Sequence, residues 1–213
     1  NSFCTLLAGA MPGRFGAAAT LDEVCPGVFV GSVRAVRRCD DLVERGISLV
    51  INCADSVTPN DDFRVLVTSD GKDAGSAFPP SVIGSLADAA VQARRDRRVV
   101  CVWLRLQDNA SQKLTPYFDP IAKLIAASVE AGAKVAVHCM LGVSRSVTLV
   151  AAYMLLHRIG GVSTLESTLD QIRSCRPVAQ PQPTFCLELF KLERSLADSP
   201  PRAMVGAVDA TGE

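Results

Sequence analysis

Histidine is nearly absent from this 213-residue chain, which has only His138 and His157. The eight cysteines fall into no paired metal-binding spacing. Together these argue against a Cys/His zinc site. Net charge is missing too, with 22 Lys and Arg against 22 Asp and Glu. That speaks against a general binder of nucleic acid or anionic membrane. No apolar run is long enough to span a membrane. Phe3 to Ala10 is a short apolar patch without a preceding basic residue, a poor secretory signal. The chain opens on Asn1, so nothing is read about what precedes it. What is present is a globular composition, 48% hydrophobic and 21% charged, sufficient for one domain with a substantial core.

The two ends are rich in small residues. Residues 1–20 and 198–213 are therefore expected to be flexible, and residues 21–197 to form the domain. Val24 to Ser32 reads as a turn and short strand. Ser32 is placed to cap a helix from Val33 to Arg45, with Gly46 as its stop. Ile47 to Cys53 is a continuous apolar run, a buried strand, and the order strand–helix–strand implies a parallel pair. Residues 60–98 read as an insertion, with a strand at Arg64 to Val67 and a helix from a Ser81 cap to Arg95. Val99 to Leu106 is a strand, Leu114 to Ala131 a helix with Asp119 as an internal cap, and Lys134 to Val137 a strand. After a buried helix over Val147 to Leu156, Ser163 to Glu166 forms a capping box. Its helix carries Leu165, Leu169, Ile172 and Cys175 on one face, and a last helix runs from Thr184 to Ala197.

The chemistry concentrates where the strand Lys134–Val137 meets the buried helix. The connecting loop reads His138, Cys139, Met140, Leu141, Gly142, Val143, Ser144, Arg145, Ser146. A loop entering a helix N-terminus favours anions, because free N–H groups and the helix dipole both face it. Such a site also lowers the pKa of a cysteine, and the thiolate is the nucleophilic form. Arg145 offers a planar fork for two oxygens of a phosphoryl group. Gly142 lets the backbone curl so that successive N–H groups of residues 140–145 turn inward. Ser146 can donate to the sulfur, and His138 can fix the nucleophile's surroundings. The same Cys-to-Arg spacing recurs at Cys39 and Arg45, but with three carboxylates and no glycine between them, which would repel a phosphate.

The run at 138–146 resembles the signature His-Cys-x-x-Gly-x-Ser-Arg-Ser of the dual-specificity branch of the cysteine-dependent protein phosphatases. The likeness extends over about residues 22–197. It implies an α/β fold, a central, mostly parallel sheet flanked by helices, with the site at the C-terminal edge of the strands. It also implies hydrolysis of phosphotyrosine and phosphoserine/threonine in proteins through a phosphocysteine intermediate, with no metal or other cofactor. Cys139 is then the nucleophile, and Arg145 with the backbone of Met140, Leu141, Gly142, Val143 and Ser144 binds phosphate. Ser146 eases departure of the sulfur. Asp108, followed by Leu114-Thr115-Pro116-Tyr117-Phe118 at the family's spacing, is the general acid. Asn52 is expected to brace the loop from the neighbouring strand, and Cys53 to protect Cys139 by a disulfide, as in some relatives. The family's Arg-Pro-x-x-x-Pro-Asn-x-x-Phe appears as Arg176-Pro177 through Phe185 with Gln182 in place of Asn, which puts that brace in doubt. Leu141 replaces the usual Ala and should reshape the pocket rim. The implied partner is a phosphoprotein, without nucleic acid. A thiolate nucleophile needs a reducing compartment, cytoplasmic or nuclear. The alternatives are a catalytically weak phosphoprotein-binding scaffold or a phosphatase of a non-protein phosphoester.

Overall fold

The computed structural model describes residues 20–72 and 78–197. The expected flexible ends, Thr20 apart, lie outside these residues. Six strands form one sheet, β1 (Leu21–Cys25), β2 (Val28–Ser32), β3 (Ile47–Ala54), β4 (Arg64–Thr68), β5 (Val100–Leu106) and β6 (Lys134–Cys139), in the spatial order β1-β2-β6-β3-β5-β4. Only β1 is antiparallel; every other neighbouring pair is parallel. β3 and β6 are central and apolar on both faces, as parallel strands covered on both sides must be. The expected parallel relation of β2 and β3 holds in direction, but β6 lies between them.

Among the described residues six α-helices accompany the sheet: α1 (Cys39–Glu44), α2 (Pro80–Arg95), α3 (Thr115–Glu130), α4 (Arg145–His157), α5 (Leu165–Cys175) and α6 (Pro183–Ala197). The larger core lies on the face covered by α2 to α6, and its centre is α4, buried at every position from Arg145 to Leu155. The opposite face carries a smaller cluster with Phe29, Val36, Leu42, Val50 and Phe63, under α1.

Several elements depart from the sequence expectation for identifiable reasons. The helix expected over 33–45 is reduced to α1. Ser32 instead caps a turn, accepting from the N–H of Arg34 at 3.2 Å, and the Val33 N–H donates to the Met140 carbonyl at 3.4 Å. Serving the neighbouring loop takes that segment out of helical geometry. Residues 60–98 are built into the molecule: β4 is the edge strand, and α2 buries Ile83, Leu86, Ala87, Ala90 and Ala93. α2 begins on Pro79 and Pro80 rather than on a Ser81 cap. Asp119 lies inside α3 rather than at its start, ion-paired with Lys123 at 2.6 Å. The capping box is shifted by one residue, to Thr164 and Ser167, and Cys175 is exposed.

The start of α3 is capped from a distance. One carboxylate oxygen of Glu188 on α6 accepts from the N–H groups of Leu114 and Thr115 at 2.9 and 2.6 Å and from the Thr115 hydroxyl at 2.6 Å. A buried anion thus meets the donors that a helix N-terminus leaves unpaired.

Candidate active site

Strand register brings the catalytic candidates to one edge. Ser32 pairs with Cys139, Asn52 with His138, and Ala54 with Leu106, so the segments after β2, β3, β5 and β6 meet at their C-terminal ends. Cys139 is the last residue of β6 and is buried. Its Sγ accepts from the Gly142 N–H at 3.2 Å and from the Ser146 hydroxyl at 3.4 Å. Burial alone would raise its pKa. The Ser146 hydroxyl and N–H, the Arg145 guanidinium and the Gly142 N–H outweigh it, and the thiol is held below its ordinary 9.0. The other buried thiols go the opposite way: burial pushes Cys25 and Cys101 up to about 12.

The loop after Cys139 is held open from behind. The Met140 carbonyl accepts from Val33 N, and that of Leu141 from Arg176 Nη2 at 3.2 Å. The Gly142 carbonyl accepts from Arg176 Nε at 2.7 Å, that of Val143 from Gln180 N at 2.8 Å, and that of Ser144 from Thr148 N and Oγ1, both at 2.9 Å. With all five carbonyls tied to the scaffold, the N–H groups are left to face the hollow, the arrangement that cradles an anion. Gly142 sits at φ +68°, and a Cβ there would come within 2.3 Å of the Gly31 carbonyl oxygen and 2.6 Å of Arg176 Nη2. Glycine is required on both counts.

Arg145 opens α4 and is buried. Its Nη1 donates to the Leu106 carbonyl at 2.8 Å and lies 3.5 Å from Asp55 Oδ1. Its Nε, 3.4 Å from Asp108 Oδ2, makes no hydrogen bond. A buried donor without an acceptor beside a ring of N–H groups is the donor a bound oxyanion would take. Asp108 follows β5, and its Oδ1 accepts from the Ser144 hydroxyl at 3.0 Å. That bond puts the carboxyl against the loop that follows Cys139. His138 is buried, with Nδ1 3.3 Å from the Cys139 carbonyl. Burial drives its pKa down to about 4, with the Arg145 charge adding to the shift and the carbonyl opposing it. It is therefore neutral near pH 7.

Two expectations need correction. The Asn52 amide bonds to the Ala54 N–H and the Val57 carbonyl, so it shapes the turn after its own strand rather than the phosphate loop. The substitution to Gln182 leaves a connection intact: its N–H donates to Ser144 Oγ at 3.3 Å and its side-chain amide to the Asn109 carbonyl at 3.0 Å, joining the loop after Cys139 to the segment that carries Asp108. The principal brace is Arg176, whose sequence signal was the Arg-Pro pair ahead of the last helix. Asp55 gave no signal beyond standing three residues after Asn52. Leu141, expected at the rim, is 56% exposed there, and Met140 39%. The second Cys-to-Arg copy has no site character: Cys39 begins α1 and Arg45 donates to the Leu21 carbonyl.

Among the described residues no His/Cys/Asp/Glu cluster could hold a metal, and no helix is long and apolar enough to cross a membrane. The family model described as dual specificity phosphatase, catalytic domain, matches residues 28–195. The chain is 34% identical over 178 residues to human dual specificity protein phosphatase 13B, a match covering 83% of this chain and 74% of that protein. Tyrosine-protein phosphatase yvh1 of Schizosaccharomyces pombe is 37% identical over 102 residues, 45% of this chain and only 30% of yvh1. The crystal structure of a variant of human DUSP28 superposes with a TM-score of 0.62 at 25% identity, covering 83% of this chain and 96% of that one.

Proposed function

The chain belongs to the dual specificity phosphatase family, and from that premise we propose that residues 21–197 form one catalytic domain that dephosphorylates phosphotyrosine and phosphoserine/threonine in proteins by way of Cys139. The observation that carries the assignment to these residues is the thiol of Cys139. It is wholly buried yet held below its ordinary pKa by donors of the very loop that would bind the phosphoryl oxygens.

In the first step the Cys139 thiolate attacks phosphorus in line. The S–P bond forms, the ester P–O bond breaks, and Asp108 gives its proton to the leaving oxygen. The loop N–H groups and the Arg145 fork bind the equatorial oxygens, where charge is spread in the transition state. In the second step the Asp108 carboxylate takes a proton from water. That water attacks phosphorus, and the S–P bond breaks to release inorganic phosphate. Ser146, already 3.4 Å from the sulfur, donates to it as the negative charge returns. The water-derived proton stays on Asp108, so the enzyme leaves the cycle as it entered. Five described thiols besides Cys139 and Cys175 are free and wholly or partly buried, which suits a reducing compartment such as the cytoplasm.

The test is hydrolysis of a small aryl phosphate by the native chain, Cys139→Ser and Asp108→Ala. Turnover by the native chain is expected to vanish in the first variant and to fall by about 10²-fold or more in the second. A native rate no higher than that of Cys139→Ser overturns the assignment.

A further inference from the structure

A cleft of about 520 Å³ lies against the phosphate loop on the side away from the larger core. We propose that it is a subsite for one bulky apolar side chain of the substrate, within two residues of the phosphorylated one. This rests on the phosphatase reading above and narrows its substrate to phosphoproteins with such a neighbour.

Three observations carry it. The first is chemistry: half of the cleft's lining residues are apolar (Val33, Val36, Val57, Pro59, Phe63 and Met140), while Ser56, Thr58, Asn60 and His138 are uncharged at neutral pH and the two charged ones, Arg37 and Asp61, have opposite signs. One arginine and one carboxylate in the same cleft make a poor second phosphate site, whereas the apolar half of its lining would be covered by an apolar side chain. The second is continuity with the catalytic loop. Met140 follows the nucleophile directly and forms both the loop and the cleft wall. An extended chain advances roughly 3.3–3.6 Å per residue, so a side chain one or two positions from the phosphoresidue falls here. Met140 and Leu141 are among the four exposed large hydrophobic residues described, and they stand side by side at the mouth of an anion site. Exposed apolar surface at such a place marks an interaction site.

The third observation is preorganisation. The cleft walls are the turn 33–37 and the segment 55–63, tied together where Asn60 Nδ2 donates to the Arg37 carbonyl at 2.6 Å. Asn52 pins the second wall through the Val57 carbonyl at 2.7 Å, and Val33 N ties the first to Met140. A pocket already shaped before binding loses less on ordering.

The experiment uses the full chain and a set of phosphotyrosine peptides in which each position from two before to two after the phosphoresidue carries Leu, Phe, Asp, Lys or a second phosphoresidue. The native chain should prefer Leu or Phe at one of these positions by roughly tenfold in kcat/KM. Val57→Gln, and independently Thr58→Trp, which fills the cleft, should abolish that preference while keeping small aryl phosphate turnover. If Val57→Gln loses aryl phosphate turnover, Thr58→Trp carries the comparison. Equal rates for Leu, Asp and Lys at all positions, a preference for a second phosphate, or an apolar preference that survives both variants would overturn the subsite. Failure of the phosphatase reading itself is a separate result, the absence of aryl phosphate turnover by the native chain.

Discussion

Arg176 and Asp22 form an ion pair, Nη1 to Oδ2 at 2.5 Å, that ties the first strand to the back of the phosphate loop. Arg176 is fully buried, and its remaining donors hold the carbonyls of Leu141 and Gly142. Arg176→Met should therefore free two of the five carbonyls that keep the loop N–H groups turned inward. The loss of preorganisation should lower kcat/KM for an aryl phosphate by about tenfold or more, at ~1 kcal/mol per lost hydrogen bond. Asp22→Asn leaves the buried guanidinium without its counter-charge. It should cost about 3 kcal/mol in denaturant unfolding, the low end for a broken buried pair because Asp22 keeps some solvent access. Native-like kinetics in Arg176→Met would remove it from the list of positioning residues.

The Ser146 hydroxyl is the largest of the contributions that lower the Cys139 pKa. Attack needs the thiolate, so the rate rises with pH as Cys139 ionises, and the depressed pKa places that rise below the ordinary 9.0. Ser146→Ala should move the rising limb of kcat/KM to higher pH, and the pH profile of iodoacetate alkylation should move with it. An unchanged alkylation profile would mean that Ser146 acts only on sulfur departure.

The fold was legible because its signals are local and repeated. β3, β5 and β6 are apolar runs, α4 is apolar all round, and the run 138–146 across the junction of β6 and α4 carries six chemically specific residues in nine. The missed features depend on contacts far apart in sequence. The helix expected at 33–45 is shortened by a hydrogen bond to Met140, more than a hundred residues on. Arg176 serves carbonyls at 141 and 142 that no local pattern could assign to it. Asn52 was placed on the correct strand, beside His138, but its amide turns to its own following segment. Strand adjacency can be read from a sequence more readily than the direction of one side chain.

His138 is buried and neutral, with a pKa near 4 against 6.5 for an ordinary histidine. The unfolded chain binds this proton more readily than the folded one, so the contribution is complete above pH 6.5 and is lost as pH falls from 6.5 towards 4. The full loss is about 3 kcal/mol, at 1.36 kcal/mol per unit. Between pH 7 and pH 4.5, denaturant unfolding should show a steeper loss of stability for the native chain than for His138→Gln. Parallel curves would show that His138 has no depressed pKa.

Asn52 and His138 pair across β3 and β6, which makes Cys53 and Cys139 the next neighbours, on the same face and in the same core cluster. Adjacent strands are about 4.7–4.9 Å apart, within the Cα range a disulfide accepts. Peroxide converts the Cys139 thiolate to a sulfenic acid, and condensation with the Cys53 thiol would release water and leave a disulfide. The expected outcome of mild peroxide treatment is thiol-reversible inactivation with a Cys53–Cys139 crosslink in the mass spectrum. Cys139 found as sulfinic acid with no crosslink would exclude this protection.

Two carboxylates flank Arg145, and only one can be the proton donor. Asp55 Oδ1 faces Nη1 at 3.5 Å and accepts from the Ser56 N–H, while the Asp55 N–H shares the Leu106 carbonyl with that same Nη1. Asp55 thus belongs to the anchor that fixes the far end of the guanidinium. Asp108 faces Nε, the end without a hydrogen bond, and is held against the loop by Ser144. A partly exposed pair such as Asp55–Arg145 is worth under about 1 kcal/mol, so Asp55→Asn should change kcat/KM by less than roughly fivefold and appear mainly in the inhibition constant for vanadate. Loss of a general acid costs about 10²–10⁴-fold, so Asp108→Asn should lower kcat most for phosphoserine, whose alkoxide leaves poorly without a proton, and less for an activated aryl phosphate. The reverse pattern, a kcat collapse in Asp55→Asn with Asp108→Asn near normal, would exchange the two assignments.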